Sequence, residues 1–376
     1  MTPKPSTGSD LLGASRLAVE AVTGVTELVE AVHMNVLERA FGTPVVRPLV
    51  RPVVGVTSLV YRSIKTVTRT VGGGVDSVAR RLVPVLDGAA AWPGREALVA
   101  ALNGVLGDRL AASGNPLAIA MQLQARGAAS PRIVVLAHGL CMGSGQWLRD
   151  GVDHGDTLAA ERGYTPVYLD YNSGLHISMN GRAFAQTLQT LVDDWPVPVQ
   201  EIAIVGHSMG GLVARSACHY AELAGQRWLS LLTRMVFLGT PHAGAPLERG
   251  GNWIGMLTES SAYSKPFARL AKLRSAGITD LRHGSLLDEA WEGRDRFTDT
   301  KREGLLAPPQ GVRCYAIGAT VGKRAGDLKD RLLVGDGLVP LASALGEGFE
   351  TAIVCQTNHM QLLSSPQVRA HLLAWL

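Results

Sequence analysis

From residue 131 onward the chain repeats one pattern. Short β-branched runs alternate with segments of helical periodicity, and that alternation points to a mostly parallel α/β sheet. Six such runs stand out: "RIVVLAH" (132–138), "TPVYLDY" (165–171), "EIAIVG" (201–206), "RMVFLG" (234–239), "VRCYAIG" (312–318) and "ETAIVCQ" (350–356). Helices are expected at 181–195, at 209–225 and over the final "SPQVRAHLLAWL". In that last segment Ser365 suits the cap and Pro366 the first helical position, where a missing N–H costs nothing.

The third run ends in "GHSMGG" and passes directly into a helical segment. A serine on so tight a turn needs small neighbours two before and two after it, and Gly206 and Gly210 supply them around Ser208. Gly211 allows close approach of helix and strand. The helix that follows points its free N–H groups at the serine. This G-x-S-x-G occurs once in the chain.

A serine hydroxyl is a weak nucleophile, so it requires a base, an orienter for the base, and donors for the developing oxyanion. Met209 N–H, directly after the serine, is one expected donor. Leu140 N–H, in "AHGLCMGSG" after the first run, is the other, and Gly139 permits the bend that aims it. His138 reads as a brace for that loop. Asp336, in the glycine-flanked turn "GDG", is the expected orienter; Asp327, Asp330 and Asp170 are its rivals. His359, after the last run, is the expected base, and His207, His242 and His176 also lie near loop ends. The chain order Ser208, Asp336, His359 selects this set. His242, in "GTPHAG", reads as packing beneath the site.

Residues 1–130 read differently and set a domain boundary at 130/131. They show helical spacing and no strand alternation, with apolar positions such as Leu17, Val25, Val29, Val32 and Val36. They hold 13 basic and 9 acidic residues, whereas 131–376 holds 23 of each, so the net charge of +4 sits here. Residues 45–86 contain seven Lys/Arg and one acid, Asp76. Such a basic amphipathic stretch can lie on an anionic membrane or lipid particle. Docking on the catalytic domain or on a second subunit is the commoner use of such a face, and a homo-oligomer is one consequence. About seventy residues, 240–311, separate the fourth and fifth runs where a short loop would suffice, which predicts a lid or cap over about 245–311.

No Lys/Arg cluster interleaves with aromatics, so nucleic-acid binding is not expected. The four cysteines form no C-x-x-C pair; buried free thiols are expected and a metal site is not. No secretory leader and no run of eighteen apolar residues is visible, so the expectation is a cytoplasmic protein, peripherally membrane-associated if residues 45–86 contact lipid.

"HGL" (138–140), "GHSMGG" (206–211), "LGTPHAGAP" (238–246), "GDGLVP" (335–340) and "NHMQLLSSPQV" (358–368) together resemble the α/β-hydrolase superfamily of the lipase and esterase kind, in the branch related to GPI inositol-deacylase-like and triacylglycerol lipase families. The resemblance covers 131–376. It implies an α/β-hydrolase fold with a helical lid, a Ser208–His359–Asp336 triad, oxyanion donors at Leu140 and Met209, and no cofactor. Lipases of this branch often carry calcium on an aspartate shortly after the catalytic histidine; here Met360 and Gln361 follow His359, so no calcium is expected. The implied activity is hydrolysis of lipophilic esters. Acyl transfer and polyester cleavage would use the same triad, and a lipid-surface binding protein anchored by the N-terminal helices is the reading of another class.

Overall fold

The computed structural model describes residues 12–13, 16–17, 95–245, 275–293, 306–326 and 335–376. The basic stretch 45–86, most of the amphipathic segment 17–37 and the central part of the expected lid lie outside these residues. The chain divides into two compact units: 1–93 with 110–117, and 94–109 with 118–376. In the first, Asn115 Nδ2 donates to the Gly13 carbonyl at 3.0 Å and Leu12 and Leu117 are buried.

The second unit is built on one seven-stranded sheet. Its elements are α1 (Arg95–Ala112, whose last residues from Leu110 fall to the first unit), β1 (Gln122–Ala125), β2 (Arg132–Ala137), α2 (His154–Arg162), β3 (Thr165–Asp170), α3 (Ile177–Asp193), β4 (Glu201–His207), α4 (Met209–Leu223), β5 (Leu232–Leu238), α5 (Ala276–His283), β6 (Arg313–Thr320), α6 (Leu341–Leu345), β7 (Glu350–Cys355) and α7 (Pro366–Trp375). The strand order is β1-β3-β2-β4-β5-β6-β7, and only the β1–β3 pairing is antiparallel.

All six expected strands are present. The inner strands form because their apolar runs are buried on both faces: β2 is buried from Ile133 to Ala137 and β4 from Ile202 to His207, whereas β7 is a partly exposed edge. Each fully buried Val, Ile or Leu contributes about 1.5–3 kcal/mol. The expected helices are α3, α4 and α7, and Ser365 caps α7 by accepting from Val368 N–H.

The structure adds elements before residue 131. Strand β1 lies N-terminal to the expected boundary and extends the sheet by one antiparallel edge. Its sequence "QLQA" is short and half polar, because an edge strand buries one side only, so it carries no apolar signature. Helix α1 belongs to the same unit as the sheet as far as Arg109. Asn103 Oδ1 accepts from Ile119 N–H at 2.9 Å, and Asp108 Oδ2 from Ala276 N–H at 3.2 Å, which ties α1 to that unit.

Chain order reverses at β2: β3 lies on one side of it and β4 through β7 on the other. Ligands of open α/β sheets bind outside the carboxyl ends of the strands at such a switch point. Ala137 and Gly206 are register partners there, so the loop after β2 and the turn after β4 stand side by side.

Glycines permit that approach. A Cβ on Gly210 would run into the carbonyls of Ala137 and His138, and one on Gly206 would run into the backbone of Gly210 and Gly211. Gly206→Ala is therefore expected to lower stability by about 1–3 kcal/mol. Urea denaturation would read this as a lower midpoint at unchanged m-value; an unchanged midpoint would show that the turn has room for the methyl.

Candidate active site

Ser208 joins β4 to α4 with φ +52° and ψ −124°. A non-glycine residue held at positive φ costs on the order of 1–3 kcal/mol and persists where its surroundings over-determine it. Here they do. Ser208 N–H donates to the Leu238 carbonyl at the end of β5 (2.9 Å), and Gly211 N–H donates back to the Ser208 carbonyl (3.1 Å). The serine is buried, and a Cβ placed on Gly139 would lie 3.0 Å from its own Cβ. The loop carrying Leu140 thus passes directly against Ser208. Met209 is the first residue of α4, so its N–H has no intrahelical acceptor.

Asp336 sits between Gly335 (φ +65°) and Gly337 (φ +96°), and a side chain on Gly335 would strike the Val339 carbonyl. Its Oδ1 accepts from Leu338 and Val339 N–H at 2.9 and 2.8 Å, which closes the turn. Its Oδ2 faces His359 Nδ1 at 2.7 Å. His359 N–H also donates to the Asp336 carbonyl at 3.0 Å, so the two loops are tied at backbone and side chain. An ionised carboxylate only accepts, so Nδ1 carries the proton and Nε2 is the free nitrogen of the neutral ring. That Nε2 is buried and has no hydrogen-bond partner among the described residues. Both side chains are almost fully buried.

The structure thus brings Asp336 and His359 into contact and sets Ser208 against Gly139 and beside Met209. The rivals are engaged elsewhere. Asp170 accepts from Ser144 N–H and Oγ at 2.7 and 2.8 Å, which fixes the turn after the Leu140 loop. Asp327 and Asp330 lie outside the described residues. His176 pairs with Asp280 at 3.0 Å and stacks on Trp291 with ring centroids 3.8 Å apart, forming a separate latch between α3 and α5. His138 donates from Nδ1 to the Gly139 carbonyl at 2.8 Å and stacks on Tyr171 at 4.3 Å, the bracing place expected of it.

Two contributors escape sequence reading. His207 Nε2 donates to the His359 carbonyl at 3.1 Å, and the two rings lie 4.7 Å apart. Gly239, with φ +58°, has room for no side chain: a Cβ there would lie 3.2 Å from both Asp336 Oδ2 and His359 Cε1. The glycine of "LGTPHAG" was the available signal. Of the four cysteines, Cys141 and Cys218 are buried and Cys314 and Cys355 half-buried, all free, so two thiols are more open than expected.

The surrounding histidines are neutral. Burial, then the neighbouring His359, holds His207 well below the usual imidazole range. Burial lowers His138 and His154 as well. Burial and then the Arg215 charge push His242 down to about 3. Arg215 Nη1 donates to His242 Nδ1 at 3.1 Å, a bond that protonation would abolish. His242 also packs on Phe237 and Phe349, with centroids 4.7 and 4.9 Å away.

The sheet order and the strand–serine–helix turn are those of an α/β-hydrolase fold. The family described as "PGAP1-like alpha/beta domain" matches residues 178–308, about a third of the chain, from α3 through the turn at Ser208. No curated protein matches the chain. Among solved structures, the mature lipase BlEst2 of Bacillus licheniformis is 15% identical with a TM-score of 0.46, over 67% of this chain and 97% of that one. A lipase-esterase related protein of Clostridium acetobutylicum ATCC 824 is 13% identical with a TM-score of 0.40, over 68% and 99%. A thermophilic esterase of Thermogutta terrifontis is 13% identical with a TM-score of 0.39, over 68% and 92%.

The neutral histidines set a pH dependence. Unfolded, His242 takes a proton near 6.5; folded, only near 3. Between those values the unfolded state binds more protons, so stability falls as pH drops through that window. His242→Gln, which still offers Arg215 an acceptor, is expected to flatten the slope by up to one proton, about 1.4 kcal/mol per pH unit. Urea titrations from pH 7 to 4 read this directly; identical slopes for both proteins would contradict it.

Proposed function

We propose that the chain is a serine-dependent carboxylic ester hydrolase acting on lipophilic esters. One observation carries the reading. A strained, buried serine stands at the carboxyl end of the sheet, beside loops that hold a carboxylate-oriented imidazole with its second nitrogen free. Ser208 is the nucleophile, His359 the general base and acid, and Asp336 the orienter. Leu140 and Met209 N–H are the oxyanion donors.

Ser208 Oγ attacks the ester carbonyl carbon while its proton passes to His359 Nε2. Asp336 stabilises the imidazolium that results. The carbonyl π electrons move onto oxygen, and the two N–H groups hold that charge. Collapse of the adduct restores the carbonyl, breaks the bond to the alcohol, and returns the proton from Nε2 to the leaving oxygen. Water then enters along the same course: His359 takes its proton, its oxygen bonds to the acyl carbon, and Ser208 leaves with the proton. The charge-neutral surroundings of His359 favour this role, because His207 and His138 stay uncharged while the imidazolium forms.

A lipophilic substrate class follows from the resemblance and from the apolar insertion after β5, whose central residues lie outside the described ones. The solved structures similar in shape are named as lipases and esterases. Peripheral lipid contact through residues 45–86 and self-association belong to the same proposal. Liposome flotation of the full chain against a chain lacking residues 1–90 separates an anchor from a docked segment.

Hydrolysis of a p-nitrophenyl ester series tests the chemistry. Ser208→Ala is expected to fold and to lose at least about 10³-fold in kcat, the order expected when the attacking group of a triad is removed. Rising kcat/KM with acyl length is expected for a lipophilic site. Equal turnover by variant and wild type would remove Ser208 from the mechanism.

A further inference from the structure

The loop after β2 is held by contacts that the triad does not explain. Cys141, directly after Leu140, has φ +60° and is buried. Left-handed backbone at a residue with a side chain is unfavourable by roughly 1–2 kcal/mol, so the loop would relax without restraint. Two restraints meet on this residue. On one side its N–H donates to Ser173 Oγ at 3.1 Å, and Ser173 is buried in the loop after β3. On the other, Gly104 of α1 lies so close that a methyl there would run into Cys141 Sγ, Cα and N. The two restraints are themselves joined: Asn172 Nδ2 donates to the Gly107 carbonyl at 2.9 Å, and Asn180 Nδ2 to the Asn172 carbonyl at 3.0 Å.

A bond at Cys141 N–H and a wall at its Cα fix the peptide on either side of that residue. Leu140 is the neighbour on the side facing Ser208, through Gly139. Misplacing a preorganised donor by a fraction of an ångström weakens it where charge develops and leaves ground-state binding nearly unchanged.

We propose that Ser173 and Gly104 are positioning residues for the oxyanion site: they clamp Cys141 in its left-handed conformation and thereby aim Leu140 N–H. The inference rests on the ester-hydrolase reading above. It gives α1 a task at the site, although that helix precedes the expected catalytic domain. Ser173 takes no part in bond making; its oxygen is already engaged by Cys141 N–H.

The test measures kcat and KM on p-nitrophenyl butyrate for wild type, Ser173→Ala and Gly104→Ala. Inhibition by an alkyl trifluoromethyl ketone, whose adduct with Ser208 Oγ places an oxyanion in the site, is measured alongside thermal melting. Each variant is expected to lose about tenfold or more in kcat, part of the loss for a missing oxyanion donor, with KM within about twofold. The inhibition constant should rise in proportion to the fall in kcat. Ser173→Ala removes one oxygen and creates no overlap, so it decides the matter alone if Gly104→Ala does not fold. A folded Ser173→Ala with wild-type kcat and inhibitor affinity overturns the clamp and leaves the hydrolase reading intact. Loss of activity matched by loss of folded protein, at unchanged kcat per folded molecule, also overturns it. A wild type inert toward every ester tested overturns the underlying reading instead.

Discussion

The close passage of backbone around Ser208 is the constraint on which the rest of the site depends. Five glycines let three chain segments meet there: Gly139 from the loop after β2, Gly206, Gly210 and Gly211 from the turn itself, and Gly239 from the end of β5. Each stands where a Cβ would crowd backbone or side-chain atoms packed against it. The serine is held at positive φ by hydrogen bonds to Leu238 and Gly211. Such strain is stable only on a rigid base, and the doubly buried strands β2, β4 and β5 supply it.

Electrostatics complete the arrangement. The site buries His138, His207, His242 and His359, yet of these four only His359 hydrogen-bonds a carboxylate through its ring. The others donate to carbonyls or accept from Arg215, bonds that suit a neutral ring. Burial then keeps them uncharged, because a buried cation without an anion is costly. The neighbours of His359 are thus held uncharged. That neutrality makes the fold sensitive to acid.

Much of this was legible in the sequence, for physical reasons. The inner strands β2 to β6 are largely buried and therefore read as continuous apolar runs. The turn at Ser208 needs small residues at fixed offsets, which leaves a pattern. Asp336 and His359 follow strands in chain order, and the structure joins them. What the sequence hid had no pattern to leave. Strand β1 is a short half-polar edge. Helix α1 contains Gly104 and Gly107, which weaken a helical signature, and both are there because the helix presses on Cys141 and Asn172. Ser173 and His207 act through single hydrogen bonds between segments distant in sequence, which no local spacing encodes.

The account turns on Ser208 as an activated nucleophile. A fluorophosphonate probe reacts at an activated serine oxygen, forming an O–P bond with loss of fluoride, and the adduct is found by peptide mapping. The account predicts a single stoichiometric adduct on the peptide that carries Ser208, formed at neutral pH by the folded chain. No adduct on the folded protein, or an adduct on another residue with Ser208 unmodified, would contradict it.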